Sequence, residues 1–212
     1  MCIRNGVVTM AEKKEDTRIK RTKKLLKEGL TQLILQKSIK KISVRELADL
    51  VEINRGTFYL HYKDIYDLVD QIENELCERF EQILSETNCT TTSDTFTVFK
   101  CVCEFLDENK QICHALLSDN GDINFLLKIR AIISKTCFSH MTKDITSEQS
   151  KINYLYISSY FESGTVGILR LWLGDNSPNR KSAEEVAMLL KVLFMEGLDG
   201  ITKLAKEVKA GK

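Results

Sequence analysis

Hydrophobic residues recur along this chain at helical spacing, and no stretch keeps the strict alternation of a half-buried strand. Only one proline, Pro178, interrupts the pattern, which predicts an all-α fold. Over residues 17–36, Ile19, Thr22, Leu26, Leu30, Leu33 and Ile34 make one inward stripe, with Arg18, Lys20, Arg21, Lys23, Lys24 and Lys27 around the rest of the helix. Val44, Leu47, Ala48 and Val51 repeat the i, i+3, i+4, i+7 spacing over a much shorter helix, and Ser43 with Glu46 has the spacing of a capping box at its start. Glu52 and Ile53 form a tight connection, after which Asn54 is placed to cap a second short helix over residues 55–61. Two short helices joined by so brief a turn have the pattern of a helix-turn-helix.

Beyond it, Asp64 opens a longer helix with Ile65, Leu68, Val69, Ile72 and Leu76 on one face, continuing to about residue 84. The Ser/Thr-rich stretch 85–95 reads as a loop. Helices follow over residues 96–109, 112–117 and 123–141, with Asn120 and Gly121 as the turn signal between the last two. Their Phe96, Phe99, Phe105, Phe125 and Phe138 supply bulk for a core. On residues 152–173, Ser159, Ser163 and Gly167 recur every four positions, a groove of small side chains that lets another helix approach closely. Ser182 and Glu185 form a second capping box, which introduces a helix over 183–208 with Val186, Leu189, Leu190, Leu193, Gly197, Ile201 and Leu204 in one stripe. Two such helices (about 152–173 and 183–208) from each of two subunits would make a four-helix homodimer interface.

The formal charge of +1 hides an asymmetry. Residues 1–63 carry fifteen Lys and Arg against seven Asp and Glu, and residues 64–212 carry sixteen against twenty-three. A basic head on an acidic body suits a nucleic-acid-binding module joined to a non-binding one. The domains expected are therefore a disordered N-terminal extension over 1–16, a DNA-binding domain over 17–63, and a helical regulatory and dimerisation domain over 64–212. Met10 has the surroundings of an ordinary start, which makes residues 1–9 a candidate upstream extension, and the opening residues make a poor signal peptide. With no apolar run long enough to span a bilayer, no membrane partner is expected and the expected location is the cytoplasm.

Seven cysteines (Cys2, Cys77, Cys89, Cys101, Cys103, Cys113 and Cys137) are an odd, irregularly spaced set, best read as reduced thiols. Cys101, Cys103, Cys113, His114, Cys137 and His140 do not match a closed zinc pattern, so no metal and no cofactor are expected. Gly-rich phosphate loops, a nucleophile elbow and paired metal-ligand motifs are all missing, and no enzymatic activity is expected.

The second short helix carries the candidate chemistry. At about 100° per residue, Arg55 and Tyr59 share one strip and Thr57 and His61 a neighbouring one. Arg makes bidentate contacts to guanine, Thr touches a thymine methyl or a phosphate, and a Tyr hydroxyl is a good phosphate donor. Gly56 permits close approach of the backbone to DNA or to a neighbouring helix. The run Gly56, Thr57, Phe58, Tyr59, His61, Tyr62, following SVRELADLV and a basic first helix, resembles the signature of the tetracycline-repressor (TetR) family over residues 17–70. The resemblance implies that Phe58 and Tyr62 build the head's core, that Tyr59 and His61 face the DNA backbone, and that Arg55 and Thr57 lie near base edges or phosphates. It differs at Ile65, where many members carry lysine, leaving Lys63 as the candidate for that phosphate contact. The body, with Trp172, Leu173 and the SAEEVAMLL run, is similar in a weaker way to regulators of dihydroxyacetone utilisation.

The expected function is a sequence-specific transcriptional regulator acting as a repressor: a homodimer on a palindromic double-stranded DNA operator, released by a small-molecule effector bound in the C-terminal domain. The DNA-binding set is Ser43, Val44, Arg45, Asn54, Arg55, Gly56, Thr57, Tyr59, His61 and Lys63. The alternative keeps the same fold but sets its output by a protein partner, as a co-activator or adaptor without a small ligand.

Overall fold

The computed structural model describes residues 10–86, 94–138 and 148–209, and every regular element among them is helical. In order these are α1 (Met10–Gln36), a 3-10 turn (Ile39–Lys41), α2 (Val44–Leu50), α3 (Arg55–Tyr59), α4 (Ile65–Glu86), α5 (Asp94–Glu108), α6 (Lys110–Leu117), α7 (Ile123–Phe138), α8 (Glu148–Gly174) and α9 (Ala183–Lys209). One expected boundary moves at once. The helix expected from residue 17 begins at Met10, and the alanine, glutamates and lysines of the intervening segment are strong helix formers. Residues 1–9 and most of the expected loop 85–95 lie outside the described residues.

The chain divides into two compact units, Met1–Ile72 and Glu73–Lys212. The head therefore takes in residues 64–72, which the sequence places in the body. Ile65, Leu68, Val69 and Ile72 are all buried, and they turn the start of α4 into part of the head.

Inside the head, Leu26, Leu30, Leu33 and Ile34 of α1 are buried with Leu47 and Ala48 of α2, and Ile39 and Ile42 of the intervening turn join them. Ile19, expected in the same stripe, is exposed, since the buried part of α1 begins only at Leu26. Gly29 explains how closely α1 and α2 approach. A Cβ there would stand 2.3 Å from Val51 Cγ1 and 3.0 Å from Leu47 Cδ1. Fully burying a side chain such as Leu47 contributes about 1.5–3 kcal/mol, so the head draws its stability from a small number of such contacts.

In the body, α5 and α9 pack along each other, and α8 packs against α6, α7 and α9. The phenylalanines interlock edge to face: Phe80 with Phe105 at 5.1 Å and Phe99 with Phe194 at 6.1 Å between ring centroids. The capping box at the start of α9 forms in full, with Glu185 N–H donating to Ser182 Oγ and Ser182 N–H donating to Glu185 Oε2. The Ser182 N–H, with the Ser182 hydroxyl beside it, holds the Glu185 carboxyl below its ordinary pKa. The corner before α9 is held by Arg180, whose guanidinium lies 4.5 Å over the Trp172 ring and donates to Asp107 at 2.7 Å, while Trp172 Nε1 donates to the Lys181 carbonyl.

The apolar stripe of α9 splits into two faces. Val186, Leu190 and Phe194 are buried, whereas Met188, Leu189, Val192 and Leu193 are exposed. On α8, Ser159, Ser163 and Gly167 are exposed beside Leu155, Tyr156 and Tyr160. The side chains of Ile201 and Leu204 are outside the described set.

Candidate nucleic-acid interface

Ser43 begins α2 as expected, accepting from the Glu46 N–H at 3.2 Å. The reciprocal half of the capping box is replaced: the Glu46 carboxylate takes the Lys37 ammonium instead, since a lysine brought in from the end of α1 offers a full charge. α2 then ends in a Schellman motif. Ile53 N–H donates to the Ala48 carbonyl at 3.0 Å and Glu52 N–H to the Asp49 carbonyl at 3.4 Å. Glu52 adopts φ 56°, the left-handed conformation that glycine usually supplies. This turn aims α3.

Asn54 caps α3, its Oδ1 accepting from Gly56 N–H at 2.7 Å. A Cβ on Gly56 would crowd that same oxygen at 3.2 Å and meet nothing else, so the outer side of the glycine is open. α3 is shorter than expected, ending at Tyr59, and Leu60 follows as its C-cap with helical backbone angles. Phe58 is wholly buried and Tyr62 nearly so, their rings 5.6 Å apart, as the family resemblance implies. Tyr59 stands edge-on to Phe58 and is 58% exposed.

The remaining candidates fall into two groups. Ser43, Arg45, Asn54, Arg55, Gly56, Tyr59 and Lys63 are exposed, and Val44, Thr57 and His61 are half-buried. His61 packs its ring near Tyr62 at 6.3 Å. Arg45 carries an exposed i, i+4 pair with Asp49 at 3.6 Å, too weak to prevent its exchange for a phosphate. Lys63 is fixed at its backbone, where its N–H donates to Asp67 at 2.8 Å, and Asp67 N–H in turn donates to Asp64 at 2.9 Å. The Lys63 N–H is the main reason the Asp67 carboxyl titrates below its ordinary value. Ile65, in the position where the family often has lysine, is 4% exposed and belongs to the core.

Two features escape a reading by residue type. Lys40 and Lys41 are exposed on the 3-10 turn just before Ser43. Leu60 is 79% exposed at the end of α3. Only its phase relative to Phe58 would have marked it.

Among the described residues of the body lies an apolar cavity of about 50 Å³. Phe80 and Leu84 of α4, Phe99 of α5, Phe125 of α7 and Leu169 of α8 are among its walls, and Thr165 is its single polar wall residue. Among the described residues no group of three or more His, Cys, Asp or Glu comes together as a metal site. Cys103 and Cys113 are buried and Cys77 and Cys101 half-buried. Burial pushes the Cys103 thiol up to about 12, so it stays protonated. His140 lies outside the described residues, as does the side chain of Cys137. No helix among the described residues is long and apolar enough to cross a membrane.

Residues 93–196 match a TetR-type family model described as a transcriptional regulator C-terminal region. A TetR transcriptional regulator from Streptococcus agalactiae is similar in structure, with 22% identity, 85% of this chain and 97% of that chain covered, and a TM-score of 0.54. A transcriptional regulator from Aquifex aeolicus gives 20%, 85%, 99% and 0.53 for the same quantities. NalD of Pseudomonas aeruginosa, the secondary repressor of the MexAB-OprM multidrug efflux pump, gives 15%, 86%, 97% and 0.59.

Proposed function

Because this chain belongs to the TetR family of transcriptional regulators, we propose that it is a homodimeric repressor whose two heads hold a palindromic operator until an effector enters the body. The observation that carries the DNA-binding reading is α3 itself. Phe58 and Tyr62 lock one side of it into the head and leave Arg55, Gly56 and Tyr59 exposed on a basic unit. In a major groove, Arg55 reads a guanine edge while Tyr59, Lys63 and Arg45 take phosphates. Thr57 and His61 contribute from the half-buried flank, and Ser43 and Val44 bring the start of α2 to the backbone.

The exposed apolar faces of α8 and α9 support the dimer. On two helices that pack against each other, they offer small and aromatic residues on one and Met, Leu and Val on the other. A Cβ added to Gly164, Gly167 or Gly197 would meet nothing within 4 Å, which leaves room for a partner's helices.

The cavity supports effector control, because α4 reaches both units: Phe80 and Leu84 line the cavity, and Ile65 to Ile72 build the head. A ligand of ordinary size occupies several hundred Å³. An effector that enters this cavity must part its walls, including α4, and favour a head spacing that no longer suits successive major grooves. The cavity's smallness is also the one observation that favours control by a protein partner. A thermal-shift panel of metabolites separates these, since any ligand of the folded body raises its melting temperature.

Operator DNA selected from a random pool tests the core of the proposal. Tyr59→Ala should weaken binding to all sequences with the salt slope unchanged, because its hydroxyl carries no charge, whereas Arg55→Ala should relax preference at one base position. Wild-type behaviour in both variants would remove α3 from the groove.

A further inference from the structure

Phe58, wholly buried, fixes the inward direction of α3. With about 100° between successive residues, Tyr59 and Thr57 lie about 100° from it on opposite sides, and Arg55 and His61 about 60° from it. Gly56 and Leu60, four residues apart and joined by the Leu60 N–H to Gly56 carbonyl bond of 3.1 Å, both come within about 20° of the point opposite Phe58. Burial places Gly56 and Leu60 in the open, Leu60 at 79% exposure, with the Arg55 and Tyr59 flank also exposed and the Thr57 and His61 flank half-covered. The crest of the recognition helix is thus a gap followed by an isobutyl group.

That crest offers no hydrogen-bonding side chain to a base edge, and the Gly56 N–H is already held by Asn54. What a groove floor presents to an apolar group is the C5-methyl of thymine. Arg55 and Tyr59 lie on one flank and Thr57, half-covered with its methyl, on the other, so the apolar group that stands exposed at the crest is Leu60. We infer that Leu60 reads a thymine methyl group in each half-site, with Gly56 letting the helix sink far enough for the contact. The inference rests on the proposed placement of α3 in the major groove and adds a base-reading residue to it.

Replacing thymine by deoxyuridine removes the methyl and nothing else, so the test is a uracil scan of the selected operator with wild type and Leu60→Ala. Because Leu60 is so exposed, the variant should melt as wild type does. One thymine per half-site should be sensitive: its replacement weakens wild type roughly fourfold, the value of one buried methyl group. Leu60→Ala should bind the thymine operator more weakly by a similar factor and be indifferent to uracil at that position. A scan in which no position distinguishes the two proteins overturns the inference and leaves the DNA-binding reading intact, as does a Leu60→Ala loss that is equal on thymine and uracil. If wild type enriches no sequence at all, both readings fall together.

Discussion

Gly29 is a residue whose importance no local pattern announces. In the middle of α1, glycine costs about 0.5–1 kcal/mol relative to alanine, so on helix propensity alone Gly29→Ala should stabilise. The Val51 methyl 2.3 Å from the added Cβ reverses that expectation, because a β-branched side chain has little freedom to move aside. Gly29→Ala should destabilise the head by about 1–3 kcal/mol in denaturant melts, and a stabilised variant would contradict the close α1–α2 approach. His114 makes a second prediction at this scale. It is half-buried, and burial, with Lys110 and Arg170 adding like charge, lowers its pKa below the ordinary 6.5. Below that value the unfolded chain binds the proton more readily than the folded body, so stability rises with pH through this window and is lost as the pH falls. His114→Gln should lose less stability than wild type between about pH 7.5 and about pH 5.5. Parallel losses in the two proteins would show that this imidazole does not carry the acid sensitivity.

At the scale of elements, caps and turns were the most legible features. Ser43, Asn54 and Ser182 all cap the helices their spacing announces, because a cap involves only residues two or three apart. Glu46 was misread for the complementary reason: its carboxylate answers Lys37, nine residues away on another element. The buried Glu73 carboxylate of α4 and its partner Lys128 of α7, 2.9 Å apart, lie further still beyond any local pattern. Lys128→Met removes the ammonium from a buried charge and should destabilise the body by about 3–5 kcal/mol. Adding Glu73→Leu to that variant should recover most of the loss, and a double variant no better than the single would refute a role for the ion pair in joining α4 to α7.

For the whole molecule, the prediction concerns assembly. Leu193 is exposed on α9, among Met188, Leu189 and Val192, so Leu193→Arg should fold as wild type does in isolation. If this face joins two copies, light scattering should report a monomer, and affinity for a full palindrome should fall towards that for a half-site. A dimer that survives Leu193→Arg would move the interface elsewhere. The charge asymmetry belongs to this scale too, since a basic head on an acidic body confines the salt-dependent contacts to one end of the chain.

By itself the sequence determined the helices, their caps, the short connection after α2 and the signature running from Gly56 to Tyr62, all of which depend on periodicity and on partners within a turn of one another. Tertiary structure alone decided the rest. Periodicity marks an apolar stripe but not how much of it a neighbour covers, so only packing divided α9 into a buried and an exposed face, sank Ile65 into the core and moved the head's boundary to Ile72. The same holds on α3. Residue type drew attention to its polar flanks, whereas the buried ring of Phe58, by setting which way the helix faces, put Leu60 at the crest between them.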